Sequence, residues 1–593
     1  MVVLGINASH LATACLFVNG KIIACISEER LTGVKNQPGI PVHAIKKVLE
    51  LGRYSPKEID KVAFSFEDMA INSGFGVLGG TQGQVGEKYW NPFMAFVWKA
   101  KEWLLVSVPV SRDLYLPVQN IYYKYFLFPK LKEELLNAFE KKTKIEKEKV
   151  FFVDHHTAHA YSAYFGVAKE GEGKRLILTL DAMGDGACAT VSLGDGETIK
   201  RVATTSFGNS IGDLYAYITG YLGMKMGEHE YKVMGLAPYA SQKNVERVYE
   251  KIKDWIWVDK KNLTFGSKVF SHVFYRLLPK AFRNERFDNV AGAIQKLTER
   301  VMEEWVRASI TKTGIKDVVC AGGVFMNVKA NQKIAQMPEV KSLFVFPSCG
   351  DESTAIGAAY FVYQEAKRKN QTLNDISPVE GLSFGPEYSD SEIAKELKKR
   401  KYSNYLVKKM EDMEREIAKL LSQRKIVARF TGRMEWGARA LGNRSILTHP
   451  QNLEGVRDIN EQIKSRDFWM PFAPSILSES MNEYVVNPKQ IPGPYMILAY
   501  DTTKDGAQKL RAAIHQYDFS ARPQEVIESY SPLYHKLISE FKRLTGIGAI
   551  LNTSFNLHGF PIVCTPQDAL FVFENSGLQY MALGSYLIEK QNE

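Results

Sequence analysis

The chain lacks several things that would fix its class at once. Its six cysteines (15, 25, 188, 320, 349 and 564) are scattered over 593 residues and form no C-x-x-C pair. A disulfide framework and a cysteine-based zinc site are both excluded, and a reducing compartment is expected. No apolar run approaches the ~18–20 residues of a membrane span. The most apolar stretch, Phe93 to Val110, is broken by Lys99, Lys101 and Glu102. No basic segment precedes an apolar core at the N-terminus, so the cytoplasm is the expected location, with no membrane partner. No G-x-x-x-x-G-K-[ST] occurs, which excludes a P-loop. Charge of one sign is scarce too. The excess of 76 Lys and Arg over 66 Asp and Glu leaves a net charge of +10. That suits a protein with anionic ligands better than a dedicated nucleic-acid binder, and no RNP-type or zinc-finger pattern is present.

What is there points to an α/β protein. The opening residues alternate strand, turn and strand, with Asn19-Gly20 as a hairpin signal. The same layout returns in RLILTLDAMGDGACATVSL, Asp195-Gly196 and ETIKRVATT. Asn7 and Asp181 are each expected at a strand end, and two such copies predict a duplicated domain. Val290, Ile294, Leu297, Val301 and Trp305 recur at steps of three and four, which predicts a helix. The strands DVVCA and KSLFVFP follow, each leading through glycine into a helix. The polar stretch KRKNQTLNDISPVEG marks a linker. The expected division is a domain at 1–366, a linker at 367–387 and a second domain at 388–593. An aromatic-rich helical insertion is expected at about 70–140, read first as local core and second as a pocket wall or partner surface.

The densest chemical signal is VDHHTAHAYSAYF. His155 and His159 stand four apart, so on a helix they share a face and can grip one metal, while His156 points elsewhere. Asp351, in PSCGDESTAIGAA, is the best third ligand, although an aspartate there also serves as a plain helix cap. Asp181 is a further candidate. Two histidines with carboxylates suit Fe(II), Zn or Mn. Glycine-rich turns surround these positions: Gly184 and Asp185 in DAMGDGA, Gly212 in SIGDLY, Gly235 in KVMGLAP, and Gly322 and Gly323 in CAGGVFMN. Such turns let a backbone approach phosphates, and each one alone is equally an ordinary turn. Six arginines (429, 433, 439, 444, 457 and 466) lie with Lys464 between 429 and 466. Interleaved with glycine, they predict a pocket for a multiply anionic ligand, in which Arg444 and Arg466 are included; a solvated basic face is the alternative.

Taken in order, VLGINASH, SEERLTGVK, DHHTAHA, YKVMGLAPY, GGVFMN, the SCGD segment, GRMEWGARALGNRSI, PFAPS and NTSFN resemble the O-carbamoyltransferase family of nodulation-factor, cephamycin and tobramycin biosynthesis. The resemblance spans nearly the whole chain except roughly 70–140. It implies a duplicated N-terminal domain of the actin/hexokinase-like (ASKHA) ATPase type and a YrdC-like α/β C-terminal domain. It implies that the C-terminal domain makes carbamoyl-adenylate from carbamoyl phosphate and ATP (with Mg), releasing phosphate and pyrophosphate. The N-terminal domain would hold the adenylate on a metal, commonly iron, and pass the carbamoyl group to the hydroxyl of a small molecule, releasing AMP. By this likeness His155, His159, Asp351 and Asp181 are metal positions, His10 is the general base and Lys35 lies near the adenylate. Asn327 contacts nucleotide, and Arg439, Lys464, Arg522, Asn552 and Ser554 line the C-terminal pocket. The resemblance admits a homodimer without fixing the oligomer. Alternatives are carbamoylation or threonylcarbamoylation of tRNA or of a protein thiol, or nucleotide binding without catalysis. The chain departs from the family at Leu11, Gly33, Ala438 and Met470, and in the longer GEHEYK stretch; Met470 stands where an arginine is usual, and Arg466 is its expected substitute.

Overall fold

The computed structural model describes residues 1–67, 128–167, 173–399, 405–464 and 466–591. The aromatic-rich stretch from 70 to 127 lies outside them; the helix Phe128–Thr143 follows it. The chain divides into two units. The first is Met1–Glu28 with Asn36–Pro378, and the second is Glu29–Lys35 with Val379–Glu593. The division at Pro378 falls inside the irregular stretch between two helices, while the grouping of Glu29–Lys35 with the second unit has no signal in the sequence. No helix among the described residues is long and apolar enough to cross a membrane.

The first unit contains the same sheet twice. Strands β1 (Val2–Asn7), β2 (Thr13–Val18), β3 (Lys21–Ser27), β4 (Lys61–Phe64) and β5 (Val150–Phe152) lie in the order β3-β2-β1-β4-β5. The first three pair antiparallel and the last two add in parallel. The hairpin turn falls at Asn19 and Gly20, both at positive φ, as the sequence predicts. The second copy uses β6 (Arg175–Gly184), β7 (Ala187–Gly194) and β8 (Ile199–Ser206). A small hairpin, β9 (Ile256–Asp259) and β10 (Thr264–Ser267), intervenes. Strands β11 (Asp317–Ala321) and β12 (Ser342–Val345) complete the order β12-β11-β6-β7-β8 with the same directions. The duplication expected from the repeated layout is therefore present in the connectivity itself.

Asp181 differs from its expected place. It does not end β6. The ladder to β7 breaks between Leu180 and Gly184, and Asp181 sits in that irregularity. An irregular ladder frees the local backbone to turn a side chain away from the alternation of the strand.

Two helices, His155–Phe165 and Thr354–Lys369, pack against each other. The first also lies on β6 and β11, and the second on β1, β2 and β4. Their approach is set by missing side chains. A Cβ on Gly357 would stand 1.7 Å from the Ala158 carbonyl oxygen, and one on Gly5 would stand 1.9 Å from that of Ala355. The expected long helix is Phe287–Thr313, which buries Val290, Ile294, Leu297, Val301 and Trp305 and ends at Gly314 in the left-handed region.

The second unit is built on one mixed sheet. Its strands are β13 (Tyr405–Lys409), β14 (Val427–Phe430), β15 (Arg444–Thr448), β16 (Ala473–Leu477), β17 (Gln524–Val526), β18 (Ala549–Ser554), β19 (Tyr580–Leu583) and β20 (Tyr586–Lys590). Their order is β13-β20-β19-β14-β15-β18-β16-β17. Only β14–β19 and β16–β17 run parallel. Both units are thus mixed α/β.

The helix contact gives a direct test. Gly357→Ala forces a methyl group into the Ala158 backbone, an overpacking that costs about 1–3 kcal/mol. A melting temperature several degrees below wild type is expected by calorimetry; an unchanged melt would show that the two helices are free to separate.

Candidate metal centre

His155 and His159 lie one turn apart on the helix His155–Phe165, whose N-cap is Asp154. The Asp154 carboxylate accepts from Thr157 N at 2.7 Å and pairs with Arg201. The backbone N–H of His155 donates to Asp185 at 2.7 Å. Asp351 opens the turn that leads into the helix Thr354–Lys369. The close helix packing therefore brings Asp351 to the histidines, and β6 brings Asp181. One donor atom from each of His155, His159, Asp181 and Asp351 lies within 4.8 Å of the others, and all four residues are buried.

The contacts within this group are incomplete in an informative way. His159 Nε2 is 3.1 Å from Asp181 Oδ2. His155 Nε2 is 3.7 Å from both Asp181 Oδ2 and Asp351 Oδ1, too far for a hydrogen bond, and it is buried with no such partner. Asp181 is oriented by the N–H groups of Gly323 and Ala182. His159 Nδ1 faces the Ser353 hydroxyl at 3.3 Å. Burial works against a charge on His155, but Asp351 and then Asp181 outweigh it and raise its pKa to about 9. Burial likewise opposes ionisation of Asp181, yet the two histidines hold it well below the usual carboxylate range. Two carboxylates and two imidazoles around one point, with an imidazole nitrogen left unbonded, are a donor set that a divalent cation satisfies better than a proton. His156 is excluded from it. Its Nδ1 bonds Thr179 Oγ1 at 2.8 Å, and burial drives its pKa down to about 3.

Asp351 has a second face. Its Oδ2 accepts from the Ser9 hydroxyl at 2.7 Å and lies 3.3 Å from His10 Nδ1. The His10 side chain is 58% exposed, so it reaches solvent from the rim of the cluster. Asn7 ties this loop together. Its Oδ1 accepts from Ser9 N, and its Nδ2 donates to the carbonyls of His10 and Leu11. Leu11 adopts φ +60°, a conformation an aspartate or asparagine takes more readily than a leucine. Ser9 and Ser353 were not singled out from the sequence, since a lone serine carries no spacing signal.

The glycine turns have mixed fates. Gly184 leaves room for the His155 ring, which a Cβ there would strike at 2.1 Å. Gly322, at φ +112°, would clash with Leu180 O, and Gly323 lies against Asp181. Gly212 lies against Ala182, and Gly235 is buried in the short helix Glu230–Leu236. Asn327 caps the helix Val328–Gln336 and exchanges hydrogen bonds with Gln295. Asp185, expected among nucleotide contacts, receives the N–H groups of His155 and Glu67 and so acts as a brace for the histidine helix. Lys35 is exposed and is grouped with the second unit.

In the second unit a π-helical turn, Asn460–Lys464, delivers Lys464 into a buried position. Its ammonium bonds Ser554 O at 2.5 Å and Asn556 Oδ1 at 2.6 Å, and approaches Ser554 Oγ at 3.2 Å. Burial, with Arg466 nearby, holds its pKa well below the usual lysine value. Burial also depresses Arg522, and Arg439 and Arg466 add to it. Like charges thus act on Lys464 and on Arg522, which is costly unless an anion joins them. Met470 is buried, and Arg466 stands close enough to act on both Lys464 and Arg522. Arg444 does not belong to this set. Its guanidinium is fully buried, donates to the carbonyls of Thr431, Asn443, Gly432 and Pro386, and stacks on Phe430 at 3.6 Å. Both of its terminal nitrogens are thus engaged by backbone carbonyls of the fold. Asn552 is buried beside Ala440 and Gln524.

Two mixed α/β units, one with a His2Asp2 donor cluster and one with a crowded set of cations, agree with what related sequences are called. The family described as carbamoyltransferase N-terminus matches residues 2–360, and that described as carbamoyltransferase C-terminus matches residues 418–590. The chain belongs to the carbamoyltransferase family. It is 30% identical to an uncharacterized protein of Synechocystis sp., over 99% of this chain and 96% of the relative. It is also 30% identical to the nodulation protein NolNO of Sinorhizobium fredii, over 98% and 79%. The 3'-hydroxymethylcephem-O-carbamoyltransferase of Amycolatopsis lactamdurans is 29% identical over 50% of this chain and 53% of its own.

The donor cluster yields the second test. Purified protein loaded with ferrous iron, zinc or manganese is expected to retain about one ion per chain by elemental analysis, and His155→Ala and Asp181→Asn to lose most of it. Retention by both variants at the wild-type level would place the ion elsewhere.

Proposed function

We propose that the protein is an ATP-dependent O-carbamoyltransferase whose first unit is ASKHA-like and whose second is YrdC-like. The observation that carries the reading is the position of His10, held by one oxygen of Asp351 while the other oxygen faces the His155–His159–Asp181 group. The twice-used sheet order of the first unit supports the duplicated ASKHA architecture.

In the second unit the substrates are carbamoyl phosphate and ATP with Mg. Water releases phosphate from carbamoyl phosphate, the carbamate oxygen attacks the α-phosphorus of ATP, and pyrophosphate leaves as carbamoyl-adenylate forms. Arg439, Arg466, Arg522 and Lys464 offset the charge of these groups. In the first unit His155, His159, Asp181 and Asp351 hold a divalent cation, Fe(II) in preference to Zn or Mn. When bound it supplies a Lewis acid that polarises the carbamoyl carbonyl. His10 Nδ1 lies 3.3 Å from Asp351 Oδ2, a carboxylate that favours the proton on Nδ1 and so leaves Nε2 as the acceptor for a proton. That nitrogen takes the proton of the acceptor hydroxyl as its oxygen attacks the carbamoyl carbon, and AMP leaves. Ser9 and Asn7 keep the His10 loop in register with Asp351. The acceptor is a small-molecule hydroxyl, such as that of a sugar or secondary metabolite.

The test is AMP release from ATP on addition of carbamoyl phosphate and a panel of hydroxylated acceptors. Wild-type protein with ferrous iron is expected to release AMP and yield a carbamoylated product. A chelator removes product formation, and His10→Ala lowers it by about 10²–10⁴-fold. An absence of carbamoyl-phosphate-dependent AMP would defeat the proposal.

A further inference from the structure

The connection between β14 and β15 forms one wall of a small cavity in the second unit. The N–H groups of Leu441, Asn443 and Arg444 converge there on Glu435 Oε1, at 2.7, 3.3 and 3.2 Å. Gln524 on β17 ties the same connection down by donating from Nε2 to Leu441 O at 2.9 Å. Ser383, Glu525 and Tyr530 line other walls, and Glu380 contributes from an exposed position. The cavity measures about 20 Å³, room for one body the size of a water molecule.

The charged members of the lining are all acidic. Glu380, Glu435 and Glu525 belong to it, and no lysine or arginine does. Both oxygens of Glu525 have donors: Oε1 accepts from the Ser478 hydroxyl at 2.6 Å and Oε2 from Gly493 N at 2.9 Å. Glu435 differs. It is 4% exposed, and its Oε2 is buried with no hydrogen-bond partner among the described residues. Because Oε1 is turned to the N–H groups of the connection, Oε2 is the oxygen left for the cavity. A carboxylate oxygen kept bare in this way is destabilising unless a donor or a positive charge joins it. Burial raises the pKa of the Tyr530 phenol, and Glu380 and then Glu525 raise it further, so negative charge is felt within the lining. Arg444 also acts with Glu435, but it does not line the cavity and its terminal nitrogens are engaged by carbonyls.

A water molecule would donate to Oε2 and leave the negative charge in place. A potassium ion is close to water in size and answers both needs. Magnesium keeps several waters of its own and calcium demands many oxygens, so neither suits one free carboxylate oxygen in this volume. We propose that the cavity binds one monovalent cation of potassium size, held chiefly by Glu435 Oε2. The ion fixes the Glu435 carboxylate against the N–H groups and so steadies the connection that carries Arg439. The site uses none of the residues assigned to either reaction step above.

Thermal melting of the full-length protein tests it at one ionic strength, with potassium, sodium or tetramethylammonium nitrate as the salt. Tetramethylammonium is too large to enter. Potassium is expected to raise the melting temperature saturably, by about 2–4 °C over tetramethylammonium, and sodium to do less. Glu435→Gln keeps an oxygen for the N–H groups and sets an amide NH2 in place of Oε2. It is expected to melt alike in all three salts. Thallium NMR on wild type needs no variant. The thallium(I) resonance is expected to shift or broaden with about one ion bound per chain, and potassium to reverse the effect. Equal melts of wild type in potassium and tetramethylammonium, or the absence of displaceable thallium, would leave water in the cavity and overturn the proposal. So would a potassium effect that persists in folded Glu435→Gln, which would place the ion elsewhere.

Discussion

The Ala158 carbonyl and the bare Cα of Gly357 lie so close that no side chain fits between them, and this sets the distance between the two inner helices. One helix carries His155 and His159, and the turn before the other carries Asp351. The remaining donor, Asp181, comes from the break in the β6 ladder. Each helix is pinned from behind by its own sheet, so the duplicated architecture acts as a clamp on a small polar centre. A donor set drawn from three separate elements needs such rigidity, because small displacements lose both metal affinity and the placement of reacting groups. The same clamp fixes the outer oxygen of Asp351, and through it the position of His10.

The two units handle buried charge in opposite ways. In the first, carboxylates and imidazoles share protons and backbone donors, and within the donor cluster His155 Nε2 is left over. In the second, two arginines are neutralised by the fold: Arg429 pairs with Glu414 at 3.1 Å, and Arg444 is spent on carbonyls. By contrast, Arg466 acts on both Lys464 and Arg522, and Arg439 acts on Arg522. Part of the modest net charge of +10 is thereby concentrated at one place rather than spread over a face.

Much of this was legible in the chain. The repeated strand pattern, the i, i+4 histidines and the glycine after each strand are local signals, and local signals survive without an alignment. Asp351 and Asp181 were also visible as acidic residues beside strands, though the β6 irregularity that aims Asp181 was not, since a ladder break depends on the partner strand. The errors have one cause. Arg444 and Arg439 look alike in an arginine-rich stretch, and only packing shows that one is surrounded by carbonyls. Asp185 belongs to a glycine-rich turn in the sequence, whereas hydrogen bonding to the helix N-terminus claims it in the fold. Ser9, Ser353 and Gln524 gave no sequence signal, because their importance lies entirely in what they touch.

The central claim is that His155, His159, Asp181 and Asp351 form one metal site. X-ray absorption on the iron- or zinc-loaded protein tests it most directly. The account predicts a first shell of nitrogen and oxygen at about 2.0–2.2 Å, with outer scattering from two imidazoles. A shell containing sulfur near about 2.3 Å, or one without imidazole scattering, would contradict it.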